Sequence, residues 1–341
     1  MAFPGSSRST RRFNHERFEM TITEILERPD HSRFSIELLP PLKGEHIDSI
    51  YHTMDALMPF NPAFVDVTYH REEYVYREVG PGLLQKRTVR KRPGTVGICA
   101  ALMNRYHIET VPHIICGGFN VEETENALID LDFVGVRNVL ALRGDAIRSE
   151  GRFKSEPDGH AYAIDLVDQI VDLNKGIYLD SDLKNSVSTN FCIGVAGYPE
   201  KHFEAPNPGS DLRWLKKKVD HGATYIVTQM FFDNQRFFDF VDRCRAADIH
   251  VPIIPGLKPL TTAKQLQVLP QIFHVDLPEE LVKAVDQAKT RDQVKEAGMK
   301  WCTQQAEELL ERGVPTVHFY TMGKAQPTVE IARRIYGTVQ V

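Results

Sequence analysis

The sequence predicts an α/β protein built as one closed (β/α)₈ barrel of the TIM type. Eight short apolar segments alternate with helix-like segments between residues 33 and 337, which is the pattern of repeated βα units. Most of the eight are continuously apolar, as expected for parallel strands covered on both faces. A doubly wound open sheet is the alternative, but a glycine-rich nucleotide turn usually follows its first strand. Here "PPLKG" follows instead, and the chain contains neither G-x-G-x-x-G nor a Walker A sequence.

The eight predicted strands are rich in apolar and β-branched residues. In chain order they occupy residues 33–39, 63–69, 110–116, 138–144, 190–198, 224–232, 250–257 and 315–322. Apolar residues at helical spacing, and capping residues such as Ser210 and Gly222, predict helices between them. These helices cover 121–135, 161–174, 210–222, 234–248, 261–273, two stretches within 278–313 and a last segment over 328–337. Two connections, 70–109 and 175–189, are unusually long.

Composition excludes several classes of protein. The chain has 341 residues, 42% of them hydrophobic, which is enough for a large core. A formal net charge of -5 argues against general nucleic-acid binding, and no apolar run is long enough to predict a membrane span. The five cysteines have no C-x-x-C spacing, so we expect a reduced, cytoplasmic chain without a disulfide framework or a cysteine-based zinc site.

Residues 1–20 form a polar leader that is rich in arginine and serine and has no apolar core. It is therefore not a secretory signal. A disordered tail is expected, because short polar termini are commonly unordered, and a mitochondrial presequence is the alternative. Residues 21–341 are expected to form a single barrel domain.

Polar residues follow the predicted strands where each strand ends. Barrel enzymes take their catalytic residues from the C-terminal ends of several strands, so these positions predict a functional site. The residues concerned are Glu37, Thr68, His113, Arg143, Asp145, Tyr198, His202, Gln229 and Tyr320.

Glu37 is the most informative of these residues. It lies between Ile36 and Leu38, in a strand that is predicted to be buried on both sides. A lone ionised carboxylate would be costly there, so Glu37 should be paired, or protonated with a raised pKa. A glutamic acid that is neutral near pH 7 can act as a general acid. The alternative is a structural glutamate bonded to the backbone or to an arginine.

Arg143 and Asp145 bracket Gly144, where the backbone can bend sharply and approach a ligand. The alternative is an internal Arg–Asp pair that closes the turn. His113 and His202 could bind a metal, but the sequence has no H-E-x-x-H or H-x-x-E-H pattern and no clear third ligand. We therefore favour hydrogen bonding to a ligand and predict no metal. The lysine run at 216–218 is either a solvated helix face or a phosphate site.

Taken together, the strand-end sequences resemble the methylenetetrahydrofolate reductase family. The matching stretches are "FSIELLPP", "FVDVTY", "ALRGD", "AGYPEKH", "DLRWLKKKVDHGA", "TQMFFD", "IIPGLKP" and "HFYTM". Their order matches the family, and the set is far more specific than any single stretch. The resemblance implies a (β/α)₈ barrel that holds FAD and reduces 5,10-methylenetetrahydrofolate to 5-methyltetrahydrofolate, which feeds methionine synthesis. NADH or NADPH is the implied co-substrate.

The resemblance also implies roles for individual residues. The reaction would be ping-pong, with flavin N5 passing hydride to the folate after the nicotinamide has left. Glu37 would be the general acid for opening the folate ring, and Asp145 would lie beside pterin and flavin. The implied substrate-binding residues are Glu37, Asp145, Gln229, Gln265, Tyr320 and Lys324. The implied FAD-binding residues are Thr68, His113, Leu142, Arg143, Gly144, Asp145, Tyr162, Ala163, Ala196, Tyr198, His202, Asp211, Lys217 and Lys218.

The chain also departs from the family pattern. Leu269 stands where bacterial members place an aromatic ring, and Lys324 where they place an arginine, whose bidentate fork a lysine lacks. The basic stretch 85–92 is either a solvated hairpin or a segment that attracts the polyglutamate tail of folates. No regulatory S-adenosylmethionine-binding domain is expected after the barrel, so we predict no inhibition by that ligand.

Two other functions stay open at this stage. One is a barrel lyase or aldolase that uses the same polar ring, and the other is a non-catalytic folate- or flavin-binding protein. The partners expected under the family resemblance are small molecules only, with no nucleic acid and no membrane, and the family implies a homo-oligomer. The sequence does not distinguish NADH from NADPH.

Overall fold

Nine short parallel strands form the main sheet of the described residues, which are 20–28, 33–147 and 151–337 in this computed structural model. A separate pair of antiparallel strands, β3 and β4, forms a hairpin. In chain order the strands are β1 Phe34–Leu38, β2 Val65–Val67, β3 Glu73–Gly80, β4 Leu83–Val89, β5 Thr110–Ile115, β6 Asn138–Leu142, β7 Cys192–Gly197, β8 Tyr225–Thr228, β9 Ile253–Ile254, β10 Gly256–Leu257 and β11 Val317–Tyr320.

The parallel strands close into a barrel, as predicted. Their order is β10-β11-β1-β2-β5-β6-β7-β8-β9, and β9 and β10 are one strand position interrupted at Pro255. The proline has no N–H for the ladder, but its carbonyl accepts the His318 N–H at 2.8 Å. The next residue, Gly256, donates its N–H to the Thr228 hydroxyl at 2.9 Å. The eight predicted strands and the (β/α)₈ architecture are therefore confirmed.

Helices surround the barrel, and their sequences explain where they start. They are α1 Ile22–Glu27, α2 Asp48–Leu57, α3 Thr95–Tyr106, α4 Val121–Phe133, α5 Ala163–Asn174, α6 Pro208–Asp220, α7 Asn234–Ala246, α8 Gln265–Phe273, α9 Glu279–Asp286, α10 Arg291–Glu311 and α11 Ala325–Tyr336. At α4, Asn120 and Glu123 form a reciprocal capping box. No helix within the described residues is both long and apolar enough to cross a membrane.

Four helix starts, those of α5, α6, α8 and α11, differ from the prediction by two to four residues, and hydrogen bonds explain two of them. Helix α6 begins at Pro208 rather than near Ser210, because Asn207 is the cap and its side chain accepts the Ser210 N–H at 2.9 Å. Helix α8 begins at Gln265 rather than at Thr261. The Gln265 side-chain oxygen accepts the N–H groups of Thr261 and Thr262, which fixes those two residues as the turn before the helix.

Helix α1 was not predicted and closes the N-terminal end of the barrel. Its Ile22 and Ile25 are buried against apolar side chains inside the barrel, among them Phe64 and Tyr225. The Ile22 N–H donates to the Asn138 side chain at 2.8 Å, which ties the helix to the start of β6. This end of the barrel is therefore apolar and covered.

Side chains of β1 alternate between the outside and the inside of the barrel. Phe34, Ile36 and Leu38 belong to the large cluster that packs the strands against the surrounding helices. Ser35 and Glu37 alternate with them and contact side chains from other strands across the barrel interior. The polar residues predicted at strand ends thus lie at the C-terminal end of the barrel, opposite the end that α1 covers.

Candidate active site

A buried polar cluster lies inside the barrel below Glu37. The carboxyl of Glu37 is 3.9 Å from His113 Nε2, and that nitrogen is 3.5 Å from Asp66 Oδ2. His318 Nε2 is 4.0 Å from the same Asp66 oxygen, and its Nδ1 lies 2.9 Å from the Ser35 hydroxyl. Four strands, β1, β2, β5 and β11, bring these side chains together.

Glu37 is only 9% exposed, and burial raises its pKa to about 7. The positive charge of His113 opposes this shift, the carboxylate of Asp66 adds to it, and the charge of Lys258 opposes it. Burial also lowers the pKa of Lys258 to about 8. Glu37 therefore carries a proton over much of the neutral range, which is the state that a general acid requires.

The pKa of His113 is raised, whereas burial alone lowers the pKa of a histidine. Burial lowers its pKa, but Asp66 and Glu37 together raise it by more, so the net shift is upward. The sequence analysis missed Asp66, His318 and Lys258. Asp66 could have been found, because it lies between Val65 and Val67 in an apolar strand, just as Glu37 lies between two apolar residues.

Arg143 and Asp145 diverge on either side of Gly144. Arg143 Nη1 lies 2.5 Å from Glu204 Oε2, so its partner among the described residues is a glutamate from another loop rather than Asp145. Asp145 is exposed at the barrel rim. Gly144 has a φ of +85°, and a Cβ at that position would lie 3.3 Å from Ile115, so the turn favours glycine. The alternative of an internal Arg–Asp pair closing this turn is not what the structure shows.

The loop after β7 places His202 among charged groups. The His202 N–H donates to Asp211 at 2.9 Å, and the Lys218 ammonium donates to the Ala196 carbonyl at 2.8 Å. Burial lowers the pKa of His202, and the charges of Arg143 and Lys218 lower it further. Burial also lowers the pKa of Lys218 to about 8. The carboxylates of Asp211 and Glu204 raise the pKa of His202, so groups of both charges surround it.

A small pocket, open to solvent, lies between the end of β7 and helix α6. Among its lining residues are Ala196, Tyr198, Asp211 and Lys218, four of the residues that the family resemblance assigns to FAD. Beside it, Tyr162 stacks on Trp214 with ring centroids 6.1 Å apart, and the Lys217 ammonium lies 4.4 Å from the Trp214 ring centroid. Tyr162 caps the helix that Ala163 begins.

The other implied FAD residues, Thr68 and His113, lie at the ends of β2 and β5. The Thr68 hydroxyl is 3.4 Å from His70 Nε2, and Leu142 accepts the Cys116 N–H at 3.1 Å beside them. The implied set thus extends from the barrel mouth to helix α6. An elongated dinucleotide with a charged diphosphate fits this combination of a barrel mouth, cationic side chains and an adjoining pocket.

The implied substrate residues occupy the remaining side of the mouth. The Tyr320 hydroxyl donates to the Thr228 carbonyl at 2.6 Å, and half-buried Gln229 follows that threonine. The oxygen of the Gln265 side chain is engaged by the turn before α8, and Lys324 is exposed at the start of α11. Leu269 is 2% exposed and packs in an apolar cluster with Met230 and Phe232, so it belongs to the core around α8.

Within the described ranges, no group of three or more histidine, cysteine, aspartate or glutamate side chains is arranged to hold a metal ion. All five cysteines are buried free thiols.

Comparisons with known proteins agree on one family. A family model described as methylenetetrahydrofolate reductase matches residues 21–336. The chain is 32% identical over 308 residues to methylenetetrahydrofolate reductase (NADH) 1 of Arabidopsis thaliana, covering 87% of this chain and 47% of that protein. It is 30% identical over 305 residues to 5,10-methylenetetrahydrofolate reductase of Escherichia coli, covering 88% and 90%. The chain thus spans about half the length of the plant relative and most of the bacterial one.

A solved structure shows the same fold at much lower identity. A protein of Clostridium thermocellum that binds two copies of 5-methyl-5,6,7,8-tetrahydrofolic acid superposes with a TM-score of 0.53. The two chains are 14% identical, and the match covers 91% of this chain and 97% of the other. At that identity the likeness concerns the fold alone.

Proposed function

The chain belongs to the methylenetetrahydrofolate reductase family, and from that premise we propose that it reduces 5,10-methylenetetrahydrofolate to 5-methyltetrahydrofolate with NADH or NADPH. The observation that carries this proposal is Glu37, a buried carboxyl group with a pKa near 7 at the mouth of the barrel. Its counterpart in the sequence resemblance is the general acid of the folate reaction. The homo-oligomeric state and the cytoplasmic location stay predictions.

FAD is the cofactor that the proposal requires, and when bound it supplies the hydride carrier between nicotinamide and folate. Arg143, Lys217 and Lys218 would compensate the charge of its diphosphate. Asp211 suits a ribose hydroxyl, since a carboxylate accepts such hydrogen bonds readily. Gly144 lets the backbone approach the ring system, because no side chain projects from the turn. The position of Lys218 in the lining of the pocket, with Lys217 over the ring of Trp214 beside it, supports this assignment.

Glu37 would donate a proton to the folate. The five-membered ring that carries the methylene group must open before hydride can reach that carbon, and the leaving nitrogen needs a proton to depart. Burial keeps Glu37 protonated near neutral pH and holds the proton at the mouth of the barrel. Asp145 lies exposed at the rim, where a carboxylate would favour the cationic iminium form of the folate. Gln229 and Tyr320 would hold the folate ring.

A direct test uses the purified full chain in anaerobic stopped-flow experiments. We expect flavin absorbance in the protein, loss of that absorbance with NADH or NADPH, and its return with methylenetetrahydrofolate as 5-methyltetrahydrofolate forms. A chain that neither contains nor binds FAD would contradict the proposal and favour a barrel lyase. Loss of absorbance with no return on adding the folate would exclude folate reduction.

A further inference from the structure

Below Glu37, the structure leaves four buried polar atoms without a hydrogen-bond partner. They are both carboxyl oxygens of Asp66, Nε2 of His113 and Nε2 of His318. An unsatisfied buried polar group is destabilising, and a charged one more so, unless an opposite charge compensates it. Because the four atoms lie close to one another, their charges must be considered together.

The distances indicate where the positive charge resides. His113 Nε2 lies between two carboxyl groups, 3.5 Å from Asp66 and 3.9 Å from Glu37. His318 Nε2 is farther from Asp66, at 4.0 Å, and its other nitrogen is occupied by the Ser35 hydroxyl. Burial lowers the pKa of His318, whereas the neighbours of His113 raise its pKa. The additional proton therefore belongs on His113, and His318 is neutral.

We propose that Asp66 is a positioning residue that holds His113 as an imidazolium beside Glu37, so that a second proton is stored next to the one that Glu37 delivers. The inference rests on the proposed function, since it concerns the proton that the folate receives. Asp66 reaches the substrate only through these two residues. Neither the family match nor the sequence resemblance assigns it a role.

Charge balance gives the physical reason. With Asp66 ionised and His113 protonated, their pair is neutral, and removing the Glu37 proton leaves a net negative charge in a buried space. That cost favours retention of the proton. If residue 66 carries no charge, the His113 imidazolium is a lone buried charge. His113 then loses its proton at lower pH, because this loss removes that charge. The remaining titratable groups that face the cluster are the same in both cases; they are His70, Cys99, Tyr225, Lys258, His318 and Tyr320.

The end of the barrel opposite Glu37 is covered. Apolar side chains, including Val111 and Ile254, pack there against α1. A proton stored on His113 lies next to Glu37, the group that donates to the folate.

The first test measures the histidine directly, by NMR of the purified protein with isotope-labelled histidine. The His113 resonance is assigned by its loss in His113→Gln. We expect an imidazolium near neutral pH in the native protein, and in Asp66→Asn a titration at least about one pH unit lower. Thr110→Val is the matched control, because it removes a buried hydroxyl outside the cluster without changing its charge. A neutral His113 in the native protein at neutral pH overturns the proposal, even if Asp66→Asn does not fold.

The second test is kinetic and separates this inference from the proposed function. In the native protein, the rate of folate reduction should fall as pH rises through about 7, because Glu37 then loses its proton. In Asp66→Asn this decline should move to higher pH, because a neutral His113 no longer lowers the pKa of Glu37, and this effect is larger than that of the lost Asp66 carboxylate. Flavin reduction by nicotinamide should be unchanged. Identical pH profiles overturn the inference alone. A native chain that never reduces the folate overturns the proposed function, while the NMR titration still decides whether Asp66 controls His113.

Discussion

At the scale of single residues, two buried glutamates at opposite ends of the barrel show why one is a candidate acid. Glu109, near the closed end, accepts hydrogen bonds from the Met20 N–H at 3.0 Å and from the Asn138 amide at 3.4 Å. Glu37 has His113 at 3.9 Å as its nearest ionic partner. Donors that saturate a carboxylate stabilise its charge, whereas burial without them favours the proton. Glu109 thus links Met20 to the start of β6 through hydrogen bonds, and Glu37 retains a proton near neutral pH.

This contrast gives a prediction for Glu37→Gln. The substitution keeps the size of the side chain and removes the transferable proton. We expect retained FAD and normal flavin reduction by NADH or NADPH. The rate of folate reduction should fall by about 10²- to 10⁴-fold, the usual contribution of a general acid. Glu109→Gln is the matched control and should leave both half-reactions unchanged. Stopped-flow absorbance measures each one, and an unaffected folate half-reaction in Glu37→Gln would remove this residue from the role.

At the scale of elements, periodicity and end signals predicted the barrel strands and helices α4 to α11, whereas α1, α2 and α3 were not predicted. Helix α1 was missed because six residues give too little periodicity, and its stability comes from burial in the barrel. The site was predicted where polar residues follow strands. His318 was missed because a strand covered on both faces does not reveal which side chains point inward. Asp66 was missed although it lies between two apolar residues, as Glu37 does. Only the closed barrel brings them beneath Glu37.

The closing helix provides a stability prediction. Ile22 is fully buried at the covered end of the barrel, far in the fold from the polar mouth. Ile22→Ala should lower the free energy of unfolding by about 2–4 kcal/mol, because it removes buried apolar area and leaves a cavity. Ile177→Ala, at a side chain that is 55% exposed, should change it by less than about 0.5 kcal/mol. Chemical denaturation measures both, and equal effects would mean that α1 does not seal the barrel.

At the scale of the whole molecule, charge is distributed unevenly. The chain has a net charge of -5, yet residues 71–92 contain seven basic and three acidic residues, a net charge of +4. Most of this segment is the hairpin of β3 and β4, whose side chains are largely exposed. Its base is fastened to the loop after β1, since the Lys91 carbonyl accepts the Lys43 N–H at 2.7 Å and Arg92 donates to the Pro40 carbonyl. The positive surface therefore adjoins the barrel mouth.

A positive surface beside a folate site should attract the polyglutamate tail of the substrate, which carries one carboxylate for each added glutamate. Reversing the charge at exposed Lys86 and Arg87 to glutamate should raise KM for polyglutamylated methylenetetrahydrofolate by roughly two- to fivefold per charge pair, the strength of exposed ion pairs. The effect should shrink as salt is added, because exposed charges are screened. KM for the monoglutamate should stay unchanged. Lys184→Glu is the control, since this exposed lysine precedes β7 at the opposite rim. Equal changes for both substrates would show that the hairpin does not recognise the tail.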